Sequence, residues 1–142
     1  MPVPDLFREG IARGWKTRDA SRLDQDLTLE TDIAIIGSGA GGATSAELLS
    51  AAGIRVLLIE EGPLKTSSDF HLLEDQAYAS LYQEGIGRMS KDGAITILQG
   101  RAVGGTTLIN WTSSFRTPEP TLQHWAREHG VVGLSSAELA PW

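Results

Sequence analysis

Two short runs of uninterrupted apolar residues stand out in an otherwise mixed chain: Ile33-Ala34-Ile35-Ile36, ended by Gly37, and Val56-Leu57-Leu58-Ile59, ended by Glu60. Apolar runs of this length, rich in β-branched residues and without polar alternation, predict strands buried on both faces, the pattern of a parallel sheet. Between them, Ala40 to Ala52 carries helix formers with apolar positions at Ala43, Ala46 and Leu49, and Gly53 stands where a C-terminal glycine cap belongs. Strand, glycine turn, helix and strand together predict one βαβ unit.

Elsewhere the pattern is weaker. Residues 1–30 are polar, with Leu6, Phe7 and Ile11 spaced for one or two helical turns, and read as an arm packed on a domain that begins at Thr31. A helix is expected around Phe70 to Tyr82, a glycine-containing loop at Gly85-Ile86-Gly87-Arg88, and a strand or extended segment over Ile95 to Leu98. Leu122, Trp125, Ala126 and His129 share one helical face after Pro118 and Pro120 and before Gly130, which predicts a short amphipathic helix. Pro141 suits the first position of a further helix, where its missing N–H costs nothing. One βαβ unit leaves most strands of such a sheet unaccounted for. The fold class read from this is α/β, a Rossmann-like domain over 31–142 that is the incomplete front part of something longer, preceded by the arm.

Glycine sharpens this picture. Of sixteen glycines in 142 residues, twelve lie between Gly37 and Gly105. Glycine inside regular structure costs roughly 0.5–1 kcal/mol relative to alanine, so a dense cluster implies positive φ angles or a very close approach to the backbone. In the first cluster, Gly37, Gly39 and Gly42 spell GxGxxG after a strand and at the opening of a helix, with Ser38 and Ala40 inside the turn. Gly37 permits the tight turn, Gly39 removes a Cβ that would block a pyrophosphate, and Gly42 lets helix and strand pack closely. The helix N-terminus offers N–H groups and partial positive charge to phosphates. Glu60, at the end of the next strand, is placed to accept hydrogen bonds from ribose hydroxyls, and its charge should repel a 2′-phosphate, favouring FAD or NAD over NADP. The bland alternative is a strand-to-helix turn and nothing more.

A formal charge of −6 with scattered Lys and Arg argues against nucleic-acid binding, which needs a clustered basic face. The absence of cysteine excludes disulfides and thiolate metal sites, and fits a cytoplasmic enzyme. Met1-Pro2-Val3-Pro4-Asp5 does not have the form of a signal peptide, and no apolar run approaches the roughly 20 residues of a membrane span. His71, His124 and His129 form no metal-binding cluster, since His124 and His129 are poorly spaced on a helix and no carboxylate–histidine cluster surrounds them, so no metal is expected.

The second glycine cluster, "GRAVGGTTLIN" from Gly100 to Asn110, has the form G-R-x-V-G-G-T-T-x-x-N and is followed by Arg116 and Pro118. Together with "TDIAIIGSGAGG" and "VLLIEEG" it resembles the N-terminal, FAD-binding part of the glucose-methanol-choline (GMC) oxidoreductases from about Thr31 to Trp142, with bacterial members that carry an N-terminal arm most alike. The resemblance implies oxidation of a small-molecule alcohol to an aldehyde or ketone, with hydride passing to a flavin and the electron acceptor left open. It implies that Gly104, Gly105, Thr106, Thr107 and Asn110 wrap the FAD, with Asn110 close to the ring system and Trp111 and Thr112 beside it. Arg101 is a candidate cation near the phosphates, with a solvated arginine as the alternative. No histidine stands among Ile109, Asn110 and Trp111, so the FAD is expected to be non-covalent. In this family the later half of the chain supplies most of the substrate pocket and the histidine that takes the alcohol proton. None of the three histidines here matches that position, so no catalytic residue is assigned. Two alternatives stay open: a truncated, non-catalytic FAD- or ADP-binding fragment, and an NAD-binding module.

Overall fold

In the computed structural model, which describes residues 4–141, the two apolar runs form parallel strands β1 (Ile33–Ile36) and β2 (Val56–Ile59). Met1, Pro2, Val3 and Trp142, which open the arm and close the chain, lie outside the described residues. Ile33 pairs with Val56 and Ile36 with Ile59, and the Gly37 N–H extends the ladder by donating to the Ile59 carbonyl at 2.7 Å. The connection is the helix expected between them, which follows the arm's helix α1 (Leu6–Ala12) as α2 (Ala40–Ala51). Gly53, at φ 83°, reverses the chain after α2, and the amides of Gly53 and Ile54 return to the carbonyls of Ser50 and Leu49 at 3.0 and 3.1 Å. The βαβ unit is thus present as predicted.

The strands are not buried on both faces, however. Among the described residues the sheet has two strands, and α2 packs against both of them. Ile35 turns toward α2, close to Gly42, whereas Ile36 is 87% exposed. Along β1 half-buried and exposed positions alternate because successive side chains leave opposite faces of a strand and one helix covers a single face.

One region departs from the predicted elements. The helix expected from Phe70 starts at Glu74 and runs as α3 (Glu74–Leu81). Upstream, Thr66 and Asp69 exchange side-chain-to-backbone hydrogen bonds as a capping box that closes a separate 3₁₀ turn over Ser67–Asp69, and Leu72 is left-handed at φ 59°. A helix cannot pass through that residue. The Ile95–Leu98 segment takes the second of its expected forms, making an isolated antiparallel bridge between Met89 and Thr96, and a second bridge joins Tyr82 to Gly100 beyond it. Asp5 accepts hydrogen bonds from the Thr66 and Ser68 hydroxyls, and Arg8 reaches Asp69 at 2.9 Å.

The chain divides after Asn110 into two compact units. The second contains α4 (Glu119–His129), with Leu122 buried and Gly130 closing the helix at φ 64°, and the short α5 (Ser136–Leu139), opened by a Ser135–Glu138 capping box. Pro141 falls in the turn after α5 and is the last described residue. Among the described residues no helix is long and apolar enough to cross a membrane.

Gly42 shows how tightly the helix meets the strand end. A Cβ there would sit 2.0 Å from the Gly37 carbonyl oxygen, whereas a Cβ at Gly41 would meet nothing within 4 Å. Gly42→Ala is therefore expected to lower the unfolding free energy by about 2 kcal/mol or more, as overpacking does. Gly41→Ala should leave it unchanged or raise it by up to about 1 kcal/mol; urea unfolding of the two variants side by side checks the contrast.

Candidate functional site

The turn between β1 and α2 is open on its outer side. Gly37 adopts φ 93°, and no protein atom lies within 4 Å of a Cβ built at Gly37, Gly39 or Gly41. Gly39 is the N-cap of α2 and contributes no side-chain hydrogen bond, so the amides of the first helical turn, including Ala40, point outward without a capping acceptor. A twelve-residue helix ending this way presents N–H donors and partial positive charge to whatever anion enters.

The second glycine segment packs directly on this turn. Gly104 and Gly105 are left-handed at φ 101° and 57° and lead into a 3₁₀ turn over Gly105–Leu108. A Cβ on Gly105 would come within 2.9 Å of the Gly39 Cα, one on Gly100 within 2.4 Å of the Gly105 carbonyl oxygen, and one on Gly62 within 2.4 Å of the Ala102 nitrogen. These glycines let backbone meet backbone inside the protein, a use distinct from approach to a ligand. Several amides of the segment are also taken internally: Val103 donates to Pro63 at 3.1 Å and Gly105 to Ala102 at 2.8 Å. The Thr106 hydroxyl accepts from the Gly100 amide at 3.2 Å, the Thr107 hydroxyl donates to the Gly104 carbonyl, and the Asn110 amide donates to the Thr107 carbonyl at 3.0 Å.

Ser38 and Glu60 join the two segments. Ser38 is 3% exposed; its N–H and its hydroxyl both donate to Glu60 Oε2, at 2.8 and 2.6 Å, and its Oγ accepts from the Gly104 N–H at 2.9 Å. Glu60 Oε1 accepts from the Gly62 N–H at 2.9 Å. Partial burial pushes the Glu60 carboxyl up, but the hydrogen bonds from Ser38 and from the Gly62 and Glu61 amides outweigh it and hold the group below the ordinary glutamate value. Glu60 is thus a carboxylate already serving the protein's own backbone.

The remaining expected residues are placed differently. Arg101 pairs with Glu61 at 3.2 Å in a largely exposed salt bridge, so its charge is offset by a neighbour. Trp111 and Thr112 belong to the second unit; Trp111 is 88% exposed, and Thr112 is left-handed at φ 55° with its hydroxyl donating to the Trp111 carbonyl at 2.7 Å. His124 and His129 stack edge to face with ring centres 5.3 Å apart, and among the described residues no group of three or more His, Cys, Asp or Glu is gathered for a metal.

Comparison with known proteins decides the family. Residues 78–142, which include the second glycine segment, match the family model described as GMC oxidoreductase, and residues 35–64 match an NAD(P)-binding Rossmann-like domain. The chain belongs to the GMC oxidoreductases. It is 36% identical over 115 residues to a long-chain-alcohol oxidase of Arabidopsis thaliana, an alignment covering 81% of this chain and 15% of the plant protein. Uncharacterized GMC-type oxidoreductases of Sinorhizobium fredii and Mycobacterium tuberculosis are each 36% identical, over 84% and 94% of this chain and 24% and 23% of their own lengths. The chain therefore spans a quarter or less of these curated relatives. Family members such as the long-chain-alcohol oxidases are enzymes.

Within this GMC framework, Ser38, expected in the first turn, carries the junction by its hydrogen bonds, joined by three residues that were not singled out from the sequence, Gly62, Gly100 and the fully buried Ala102, through close packing. The available signal was smallness, a glycine two positions after Glu60 and an alanine inside the glycine segment. Because the Glu60 carboxyl is held low, its contribution to stability is full above the usual glutamate range and is lost as pH falls through its lowered folded value. Glu60→Gln should accordingly be less stable than the parent near neutral pH, with the difference shrinking as the solution is acidified. Urea midpoints measured across that range check both the sign and the window.

Proposed function

We propose that residues 31–142 are the FAD-binding N-terminal part of an oxidoreductase acting on the CH–OH group of an alcohol, holding the cofactor without a covalent bond. One observation carries the reading: the GxGxxG turn and the GRAVGGTT segment meet at Ser38 beside an uncapped helix N-terminus. The residues fit the ADP half of such a group. Gly39 and Gly41 leave a surface that a Cβ would fill, the first amides of α2 offer donors to a pyrophosphate, and Glu60 stands at the end of β2, where the acidic residue of such a site would meet a ribose. Its negative charge disfavours a 2′-phosphate. For the other half, the 3₁₀ turn from Gly105 to Leu108 and Asn110 behind it form the wall on which the rest of the dinucleotide would lie.

FAD, when bound, supplies the hydride acceptor for alcohol oxidation. The residues of this chain would bind and orient it; no side chain at the junction is placed as a base for the alcohol proton, so the chain by itself is proposed to bind FAD without turnover. A second reading, an NAD-binding module, is favoured by the match of residues 35–64 to an NAD(P)-binding description. The long-chain-alcohol oxidases among the relatives make a long-chain alcohol one candidate substrate of the whole protein.

Titration with FAD should produce bound-flavin absorbance and quenched flavin fluorescence, with NADH competing poorly and NADPH not at all. Comparable affinity for NADH would favour the second reading, and no flavin binding would contradict the proposal. Gly39→Val should reduce FAD affinity at least tenfold, about 1.4 kcal/mol, while leaving the unfolding midpoint near the parent's, since its side chain projects from an extended N-cap position into open space.

A further inference from the structure

The hydrogen-bond directions around Ser38 leave no freedom. The Gly104 N–H can only donate, so the Ser38 Oγ must accept from it at 2.9 Å. The single hydroxyl hydrogen is then committed to Glu60 Oε2 at 2.6 Å. Glu60 Oε2 also takes the Ser38 N–H, and Glu60 Oε1 takes the Gly62 N–H. A carboxylate at the end of β2, a serine in the first glycine turn and the amide that opens the second glycine segment thus form one directional chain, buried at its centre where Ser38 is 3% exposed. Close contact reinforces it, since Gly105 leaves no room for a Cβ against the Gly39 Cα. The dihedral angles of Gly104 and Gly105, both left-handed, set the direction in which the following 3₁₀ turn presents its groups.

Building on the proposed dinucleotide site, we infer that Ser38 is a positioning residue coupling its two halves. Through its hydroxyl, the carboxylate that meets the adenosine ribose also sets the register of Gly104–Leu108, the segment assigned to the distal half. Binding at Glu60 restrains Oε2 and Ser38 and therefore orders Gly104–Leu108 before the distal half of the ligand arrives. A molecule containing both halves gains affinity from that ordering, and one ending at the diphosphate does not. Restraint transmitted through a few fixed hydrogen bonds is a coupling free energy between subsites, and it disappears when the linking group is removed. Removing the hydroxyl also leaves the half-buried Gly104 N–H without its acceptor, so the loss falls on the segment and spares the open face of the first turn.

The test compares the full chain with Ser38→Ala and Ser38→Cys, using amide hydrogen exchange and titration with ADP and FAD. Far-UV circular dichroism and exchange of the β1 and β2 amides verify that each variant is folded. In the ligand-free parent, the Gly104 amide is expected to be protected; in Ser38→Ala that protection falls at least tenfold while β1 and β2 amides keep theirs. ADP should slow exchange across Gly104–Leu108 in the parent and not in Ser38→Ala. FAD affinity should fall at least tenfold in Ser38→Ala with ADP affinity within twofold of the parent. Ser38→Cys, whose thiol is a weak donor and acceptor, should lie between the two in both readouts. Equal losses for ADP and FAD would overturn the inference by making Ser38 part of the ADP pocket alone, as would unchanged Gly104 exchange in Ser38→Ala. Collapse of β1 and β2 protection in both variants would overturn it in favour of a purely structural role. If the parent binds neither ADP nor FAD, the proposed site falls and the coupling with it; binding of both with unaltered exchange defeats the coupling alone.

Discussion

The structure around the candidate site depends on the direct contact between two loops, sealed by one buried serine. The turn from Gly37 to Gly42 and the segment from Gly100 to Leu108 approach until Gly105 meets Gly39, a separation that a Cβ on Gly105 would disrupt. Ser38 fills the remaining gap with a hydroxyl whose donor and acceptor sides are both used. A buried polar group is tolerable only when satisfied in this way. The contact therefore demands glycine where backbone meets backbone, serine where an acceptor and a donor must coincide, and a carboxylate behind it.

Electrostatics at the junction follow from the same arrangement. The uncapped N-terminus of α2 is a positive end facing outward, and Glu60 sits behind it as a charge shared among amide and hydroxyl donors. Arg101 does not add to the positive end, because Glu61 holds it in an exposed pair. In the proposed function, the attraction for a diphosphate would come from oriented peptide groups and the repulsion of a 2′-phosphate from one carboxylate. This division suits a dinucleotide with a free adenosine ribose.

How much of this was legible in the sequence varies by element. The βαβ unit was, because a four-residue apolar run, a glycine turn and a helix capped by Gly53 each have a local cause. The family was as well, since GxGxxG and GRAVGGTT recur as patterns in the order of residues. Burial was not: Ile36 reads as core by composition, yet it faces away from α2 on a sheet with one covered face. The start of α3 was obscured because Thr66 and Asp69 form a capping box for a different, shorter turn and Leu72 takes a left-handed conformation that composition does not announce. The roles of Gly62, Gly105 and Ser38 depend on contacts spanning tens of residues, so periodicity carried no trace of them, and Gly105, expected to face a ligand, also meets the backbone at Gly39.

The central claim is that the two glycine segments form one site for one ligand. Backbone amide NMR of the full chain during an FAD titration tests it most directly, following Ala40 and Gly41 in the first segment and Gly104 to Leu108 in the second. The account predicts that both sets of resonances shift together along a single binding curve, whereas movement of only one set, or two curves with different midpoints, would contradict it.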